Sequence, residues 1–312
     1  MEFFKPGSKV QFMAARKLWY ALSSLLIVAS LVSLGVRGLN LGVDFTGGVT
    51  IEAAFPGVAP VDAVRGALEK VGYADPQVQN FGSSRDVAIR LPPPAQGQTS
   101  DSVRARVEGA LRAVEPKVEV RRLEVVGPQV GAELTRAAWQ SLLATIILIF
   151  FYVLIRFHTV KLSTGAILAA LHDPIIVLGF FSWTWMPFDL AVVAAILAVI
   201  GYSLNDTVVV FDRIRERFEA NKRLESSQVL DQSINQTLSR TIMTSATTLI
   251  VVIVLLLLGG PVLLGFSTAL TVGILVGTYS SIYIAASVAL DMGLKSEDIF
   301  PITRRAAIDE MP

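Results

Sequence analysis

Four ionisable residues stand inside long apolar runs of this sequence, and they are the chemistry it offers. Asp206 lies in Gly201-Tyr-Ser-Leu-Asn-Asp-Thr207, late in one run, and Arg240 opens the next. His172 and Asp173, followed by Pro174, stand about midway along another. A carboxylate at the centre of a spanning helix costs about 2.5–3.5 kcal/mol on insertion scales. Groups kept at that cost usually face a bundle interior and mark ion or proton pathways. The chain has no G-x-x-x-x-G-K-[ST] phosphate loop, so ATP bound in that way is not its energy source. A proton gradient acting on a membrane carboxylate is the obvious substitute, since one charge moved through about 100 mV is worth about 2.3 kcal/mol.

Each candidate has a polar neighbourhood. Asn205 and Thr207 flank Asp206, and Ser203 shares its helix face. Asp206 precedes Asp212 by six residues, which sets it roughly 9 Å deeper along a helix axis. Beyond Arg240 come Thr244, Thr247 and Thr248, a polar stripe on an otherwise aliphatic helix. If one helix descends and the next rises, Asp206 and Arg240 lie at similar depth and can pair. The structural alternative is an ion pair that only ties two helices, or an arginine that snorkels to the interface. For His172 and Asp173 the choice is between a proton relay and a hydrogen-bonded kink. Pro174 frees a backbone carbonyl that polar side chains can satisfy, which favours the kink.

Composition narrows the remaining classes. Of the 312 residues 53% are hydrophobic and 17% charged, where a soluble domain carries about 25% charged. Residues 241–290 contain no charge at all, enough for two spans of roughly 20 residues. The absence of cysteine excludes disulfides, thiolate metal sites and cysteine nucleophiles, and two histidines make a histidine-rich metal site a poor expectation. No G-x-S-x-G or H-E-x-x-H run supports a hydrolase or an intramembrane protease. A net charge of +1 gives no reason to expect a nucleic-acid partner.

The elements that must position these residues follow from the apolar runs. Spans are expected at 18–36, 137–155, 162–183, 190–211, 241–258 and 266–290, with Gly259, Gly260 and Pro261 turning the chain between the last two. Small residues crowd the sixth, where Gly273 and Gly277 are four apart with Thr278, Ser280 and Ser281 nearby, and this permits close helix contact. The chain then divides into a segment 1–17, the first span 18–36, a soluble domain 37–133, five further spans within 134–290 with a connector 213–239, and a tail 291–312. Lys5, Lys9, Arg16 and Lys17 precede the first span, and Arg156 and Lys161 flank the turn after the second. Arg213, Arg215, Arg217, Lys222 and Arg223 follow the fourth, and Lys295, Arg304 and Arg305 the sixth. The alternate loops 182–189 and 259–265 hold no Lys or Arg, so both termini are expected in the cytoplasm and the soluble domain outside. A cleaved signal peptide is the rival for the first span, but its apolar stretch is long and no clear small-residue cleavage site follows. Within 37–133 the order is strand 49–55, helix 61–71, strands 77–81 and 87–91, helix 102–114 and strand 118–126, with a proline-rich loop at 92–99. That βαββαβ order predicts a ferredoxin-like α+β sandwich. The connector 213–239 mixes charges with Ile214, Phe218, Leu224, Val229, Leu230, Ile234 and Leu238, so it is expected to lie along the membrane surface or pack under the bundle, with a solvated connector as the alternative.

Five runs carry a family resemblance. They are Gly42-Val-Asp-Phe-Thr-Gly-Gly48, Val126-Gly-Pro-Gln-Val-Gly-Ala-Glu-Leu134, Ala170-Leu-His-Asp173, the run from Gly201 to Glu216, and Ser239-Arg-Thr-Ile-Met-Thr-Ser-Ala-Thr-Thr-Leu249. In this order and topology they resemble the SecD/SecF family of bacterial protein-export subunits, on its SecF side. The resemblance implies a six-helix half of a resistance-nodulation-division type bundle in the bacterial inner membrane, completed by a SecD partner. It implies association with the SecYEG channel and YajC, and use of the proton motive force to finish export of unfolded proteins after the SecA motor has pushed. It places the family's membrane carboxylate on Asp206 and its arginine on Arg240, with protons as coupling ion and no other cofactor. A half-transporter of the same superfamily for lipids or small molecules, and a scaffold using Asp206 only structurally, are the other readings.

The orientation is open to a direct check. Protease added to intact spheroplasts should cleave within 37–133; cleavage only after the inner face is opened would reverse the topology.

Overall fold

The computed structural model describes residues 10–81, 83–93, 99–221 and 223–300. Lys5, Lys9, Lys222, Arg304, Arg305 and the loop positions 94–98 lie outside the described residues. Six helices are long and apolar enough to cross a membrane. They are α1 (Arg16–Arg37), α5 (Pro128–Phe157), α6 (Val160–Thr184), α7 (Leu190–Ala220), α8 (Ser226–Leu258) and α9 (Gly260–Asp291). Their ends obey local chemistry. Pro128 opens α5, where its missing N–H is no loss, and His158 closes it in the left-handed conformation. Asp189 caps α7, its carboxylate accepting from the Val192 N–H at 2.9 Å.

The bundle is built around α6. Its apolar window is 61% buried, against 11% for α1 and α5 and 17% for α8, so α6 is the central helix and α8 a peripheral one. The connector 213–239 is mostly helix: α7 runs on to Ala220 and α8 begins at Ser226. Ile214, Phe218, Val229, Leu230 and Ile234 are buried in these extensions. Charges interrupt the apolar run there without interrupting the helix, because Arg, Glu, Lys and Gln are good helix formers. The N-terminal segment fastens to the same extension, with Asp231 accepting from the Met13 N–H at 2.9 Å.

Between α1 and α5 the chain makes the soluble domain. After β1 (Asn40–Leu41) and the short α2 (Val43–Thr46) come β2 (Gly48–Ala54), α3 (Val61–Lys70), β3 (Gln77–Phe81), β4 (Ser83–Leu91), α4 (Ser100–Val114) and β5 (Glu119–Val126). The four longer strands form one antiparallel sheet in the order β3-β4-β2-β5. Alternation sends Val49, Ile51 and Ala53 to the face covered by Val64 and Leu68 of α3 and Val107 and Leu111 of α4. The opposite face carries Thr50, Glu52, Arg90 and Arg122. It closes a cavity of about 330 Å³ against Pro187, Asp189 and Val262 at the near end of the bundle. Burial there pulls the Arg90 guanidinium below its ordinary value, opposed by the Asp189 carboxylate. The root of the domain is held by β1, which pairs in parallel with β6 (Pro187–Phe188) from the α6–α7 connection.

Gly48 joins α2 to β2 with φ +134°, and a Cβ there would lie 2.6 Å from the Leu91 carbonyl oxygen. Gly48→Ala should therefore cost about 1–3 kcal/mol. The expected readout is a lower temperature at which trypsin digests the soluble domain of the full chain.

Candidate functional site

Asp206 is carried by α7, sixteen residues from its first residue. It is 3% exposed, between buried Ser203 and Thr207. Its Oδ2 has no hydrogen-bond partner among the described residues. Thr207 spends its hydroxyl on the Ser203 carbonyl at 3.2 Å. Asn205 turns away from this pocket and is exposed.

Arg240 and Thr244 of α8 are the groups on the neighbouring helix within electrostatic reach of Asp206. Among the described residues Arg240 makes no ion pair, and it lies exposed on a face shared with Met243 and Thr247. The threonine stripe is turned inward to its own helix. Thr244 donates to the Arg240 and Thr241 carbonyls at 3.1 and 2.9 Å, and Thr247 to that of Met243 at 3.0 Å. Thr248 donates to the Thr244 carbonyl at 3.0 Å and reaches the Tyr202 hydroxyl of α7 at 3.3 Å. Such back-bonding satisfies a hydroxyl in hydrocarbon without a neighbour. The approach of Asp206 and Arg240 is thus close enough for electrostatics and too long for a bond.

His172 and Asp173 form a separate knot in the middle of the bundle. Asp173 is fully buried and His172 is 3% exposed. His172 Nδ1 lies 2.9 Å from Asp173 Oδ1, and its Nε2 lies 3.1 Å from the Ser23 hydroxyl of α1. Ser23 is 2.8 Å from the Tyr279 hydroxyl of α9, which donates to the Trp19 carbonyl at 2.9 Å. Ser280 of α9 donates to Asp173 Oδ2 at 3.0 Å and lies 3.5 Å from Ser203 of α7. Gly277 makes room for this: a Cβ there would sit 3.0 Å from that of Ser203 and 3.4 Å from Asp173 Oδ2. One network therefore joins α1, α6, α7 and α9. No spacing in the sequence singles out Ser23 or Tyr279, because a serine or tyrosine in a span is common and only packing selects it.

The two carboxylates differ in kind. Asp173 is completed by protein donors on both oxygens. Asp206 has one buried oxygen, Oδ2, without a hydrogen-bond partner among the described residues, with the Thr244 side chain of α8 close by.

The family of protein export membrane proteins SecD/SecF, C-terminal part, matches residues 106–295, and the SecD/SecF GG motif matches residues 32–55. The chain belongs to the SecD/SecF family. The GG motif holds Asp44, Gly47 and Gly48, and the C-terminal match holds both carboxylates and Arg240. Protein translocase subunit SecF of Vibrio alginolyticus is 45% identical over 315 residues, covering 100% of this chain and 99% of its own length. Protein translocase subunit SecF of Escherichia coli O157:H7 is 43% identical, covering 95% and 92%. The solved SecDF of Thermus thermophilus, a translocon-associated membrane protein, matches with a TM-score of 0.83 and 36% identity. That match covers 94% of this chain but 39% of the SecDF chain, so the present chain spans well under half of that polypeptide. With six apolar helices and these SecD/SecF relatives, it is a multi-pass membrane protein.

The knot predicts an asymmetric pair of variants. Asp173→Asn can still offer an oxygen to Ser280 and an amide to His172, so its thermal midpoint in detergent should stay near that of the parent. Asp173→Leu strands two buried polar groups and should lose about 1–3 kcal/mol for each, read as a markedly lower midpoint.

Proposed function

We propose that this chain is the SecF-type subunit of a SecD–SecF complex in a bacterial inner membrane, using the proton motive force to promote late stages of protein export. Asp206 carries the reading: a buried carboxylate with an uncompleted oxygen, facing an arginine-bearing helix without being bonded to it. Such a group is poised to exchange a proton as the arginine nears or recedes. Arg240 close by favours the carboxylate and releases the proton; Arg240 withdrawn favours the neutral acid and takes one up. Alternating exposure to the two sides would couple proton entry to helix movement.

Further support comes from the faces left open. Arg240 and Asn205 are exposed within spans, and polar groups at that depth belong against protein or a water-filled cavity rather than lipid. A second six-helix half, of SecD type, is the natural cover. The SecDF chain of Thermus thermophilus is long enough to hold one beyond the matched part. The soluble domain is read as ferredoxin-like from its strand order with both helices on one face, and as periplasmic from the basic loops on the other side. Both termini then lie in the cytoplasm. The working assembly we propose includes the SecYEG channel, YajC and SecA, with unfolded exported proteins as clients and protons as the only coupling ion.

Asp206→Asn keeps size and hydrogen bonding but cannot titrate. In proteoliposomes with its partners it should assemble normally and lose the gradient-dependent part of export by at least about tenfold, with ATP-driven export retained. Arg240→Lys keeps a charge without the planar fork and should be impaired several-fold. Export that still rose with the imposed proton gradient in Asp206→Asn would rule the mechanism out.

A further inference from the structure

The GG-motif segment does more than turn the chain into the soluble domain. Asp44, in the α2 turn, reaches across to the bundle, and its Oδ2 accepts from the backbone N–H of Leu190 at 3.0 Å. Leu190 is the first residue of α7, the helix that carries Asp206. Around this bond the two segments are fastened by backbone as well. The Gly42 N–H donates to the Phe188 carbonyl at 2.7 Å, Asn40 and Leu41 pair with Pro187 and Phe188, and the rings of Phe45 and Phe188 stack at 5.8 Å. On its other side α2 is pressed against the chain's return into the membrane. A Cβ on Gly131 of α5 would lie 3.0 Å from both the Gly47 nitrogen and the Phe45 oxygen. Gly47 and Gly48 then lead straight into β2, an interior strand of the sheet.

We infer that Asp44 is a positioning residue that locks the root of the soluble domain to the first turn of α7, so that movement of the domain is delivered to the helix bearing Asp206. This deepens the proton-coupling reading and rests on it. The mechanical logic is short. An α-helix transmits axial displacement over its whole length because every turn is hydrogen-bonded to the next. Asp206 lies sixteen residues beyond Leu190, about 24 Å at 1.5 Å per residue. An anion at a helix N-terminus is also held by the helix dipole, here against the repulsion of the Asp189 carboxylate on the same turn. Asp189 caps the same turn through Val192, so α7 has a cap of its own and does not need Asp44 merely to begin. The Asp44 contact ties the helix to something else.

The absence of cysteine lets single labels be placed without background. Two variants remove the same bond from its two sides. Asp44→Ala removes the acceptor. Leu190→Pro removes the donor at the first helical position, where proline is well accommodated, and the extended backbone of Asp189 before it suits a following proline. The full chain, reconstituted with its SecD-type partner and the channel, would be measured in two ways. Spin labels at Val58→Cys and Thr184→Cys, both exposed, report the distance between domain and bundle. Vesicles report gradient-dependent and ATP-driven export separately. Expected is a broadened distance distribution in both variants and a loss of gradient-dependent export of about fivefold, the factor for one lost cap bond. ATP-driven export should be unchanged and the double variant no worse than either single one. Asp44→Asn, which keeps an acceptor oxygen, should recover most of both. If Asp206→Asn is dead while Asp44→Ala and Leu190→Pro keep gradient-dependent export and a narrow distribution, the tie is an ordinary cap and the inference falls with the proton reading intact. If Asp206→Asn is fully active, the proton reading falls. The distances alone then decide the tie: broadening keeps it as a mechanical joint, and an unchanged distribution removes it.

Discussion

In hydrocarbon there is no water to complete a polar group, and most of this bundle follows from that single constraint. Most buried hydroxyls of the spans find an acceptor, on their own helix or on the next; among the described residues the Thr241 Oγ1 hydroxyl does not, nor does the Trp19 indole N–H. Thr207, Ser267 and Thr271 turn back to carbonyls four residues earlier. Ser23, Ser33 and Ser245 instead reach a neighbouring helix, and these few bonds fix which helices touch. The His172–Asp173 knot is the strongest case, since a buried carboxylate beside an imidazole tolerates no loose end. Against this background the bare Oδ2 of Asp206 is conspicuous. Of the two buried span carboxylates, Asp173 obeys the rule on both oxygens and Asp206 breaks it on one, among the described residues.

Much of the architecture can be read from one dimension because its causes are one-dimensional. A span needs a length of apolar residues, a sheet-facing strand needs alternation, and both were visible from 18–36 through 266–290 and from Val49 to Val126. The strand Ser83–Leu91 begins earlier than its apolar core at 87–91, because Ser83, Ser84 and Arg85 pair as backbone while their side chains stay exposed. Residues 213–239 hid their helical nature for the opposite reason. Hydropathy sees the charges of Arg213 to Arg217, while helix propensity and the buried Ile214 and Phe218 decide the backbone.

The site divides in the same way. Asp206, Arg240, His172 and Asp173 announce themselves by being expensive in a membrane. Their partners do not. Ser23 is 149 residues from His172 and Ser280 is 107 from Asp173, and no spacing rule connects such pairs. Asp44 was visible as part of a motif, but its partner is a backbone N–H, which every residue but proline possesses. Sequence can name a residue that is costly to bury; it cannot name the one that relieves the cost when the relief is a main-chain atom far along the chain.

The strand order also sets a schedule for biogenesis. β2 emerges first, yet it is flanked in the sheet by β4 and β5, and β5 ends at Val126, two residues before α5 begins at Pro128. The sheet cannot close until nearly the last residue of the domain has been made. Its outer pairing, β2 with β5, spans a sequence separation of some seventy residues, as between Glu52 and Arg122, while the central pairing, β2 with β4, joins nearer residues such as Ile51 and Ile89. That outer pairing is the slow one, since the long loop must close before any bond rewards it. Until β5 is present, β2 keeps one unpaired edge. The residue that completes the sheet and the residue that opens α5 are separated only by Gly127, so that edge stays open to other strands until the chain has reached its next span.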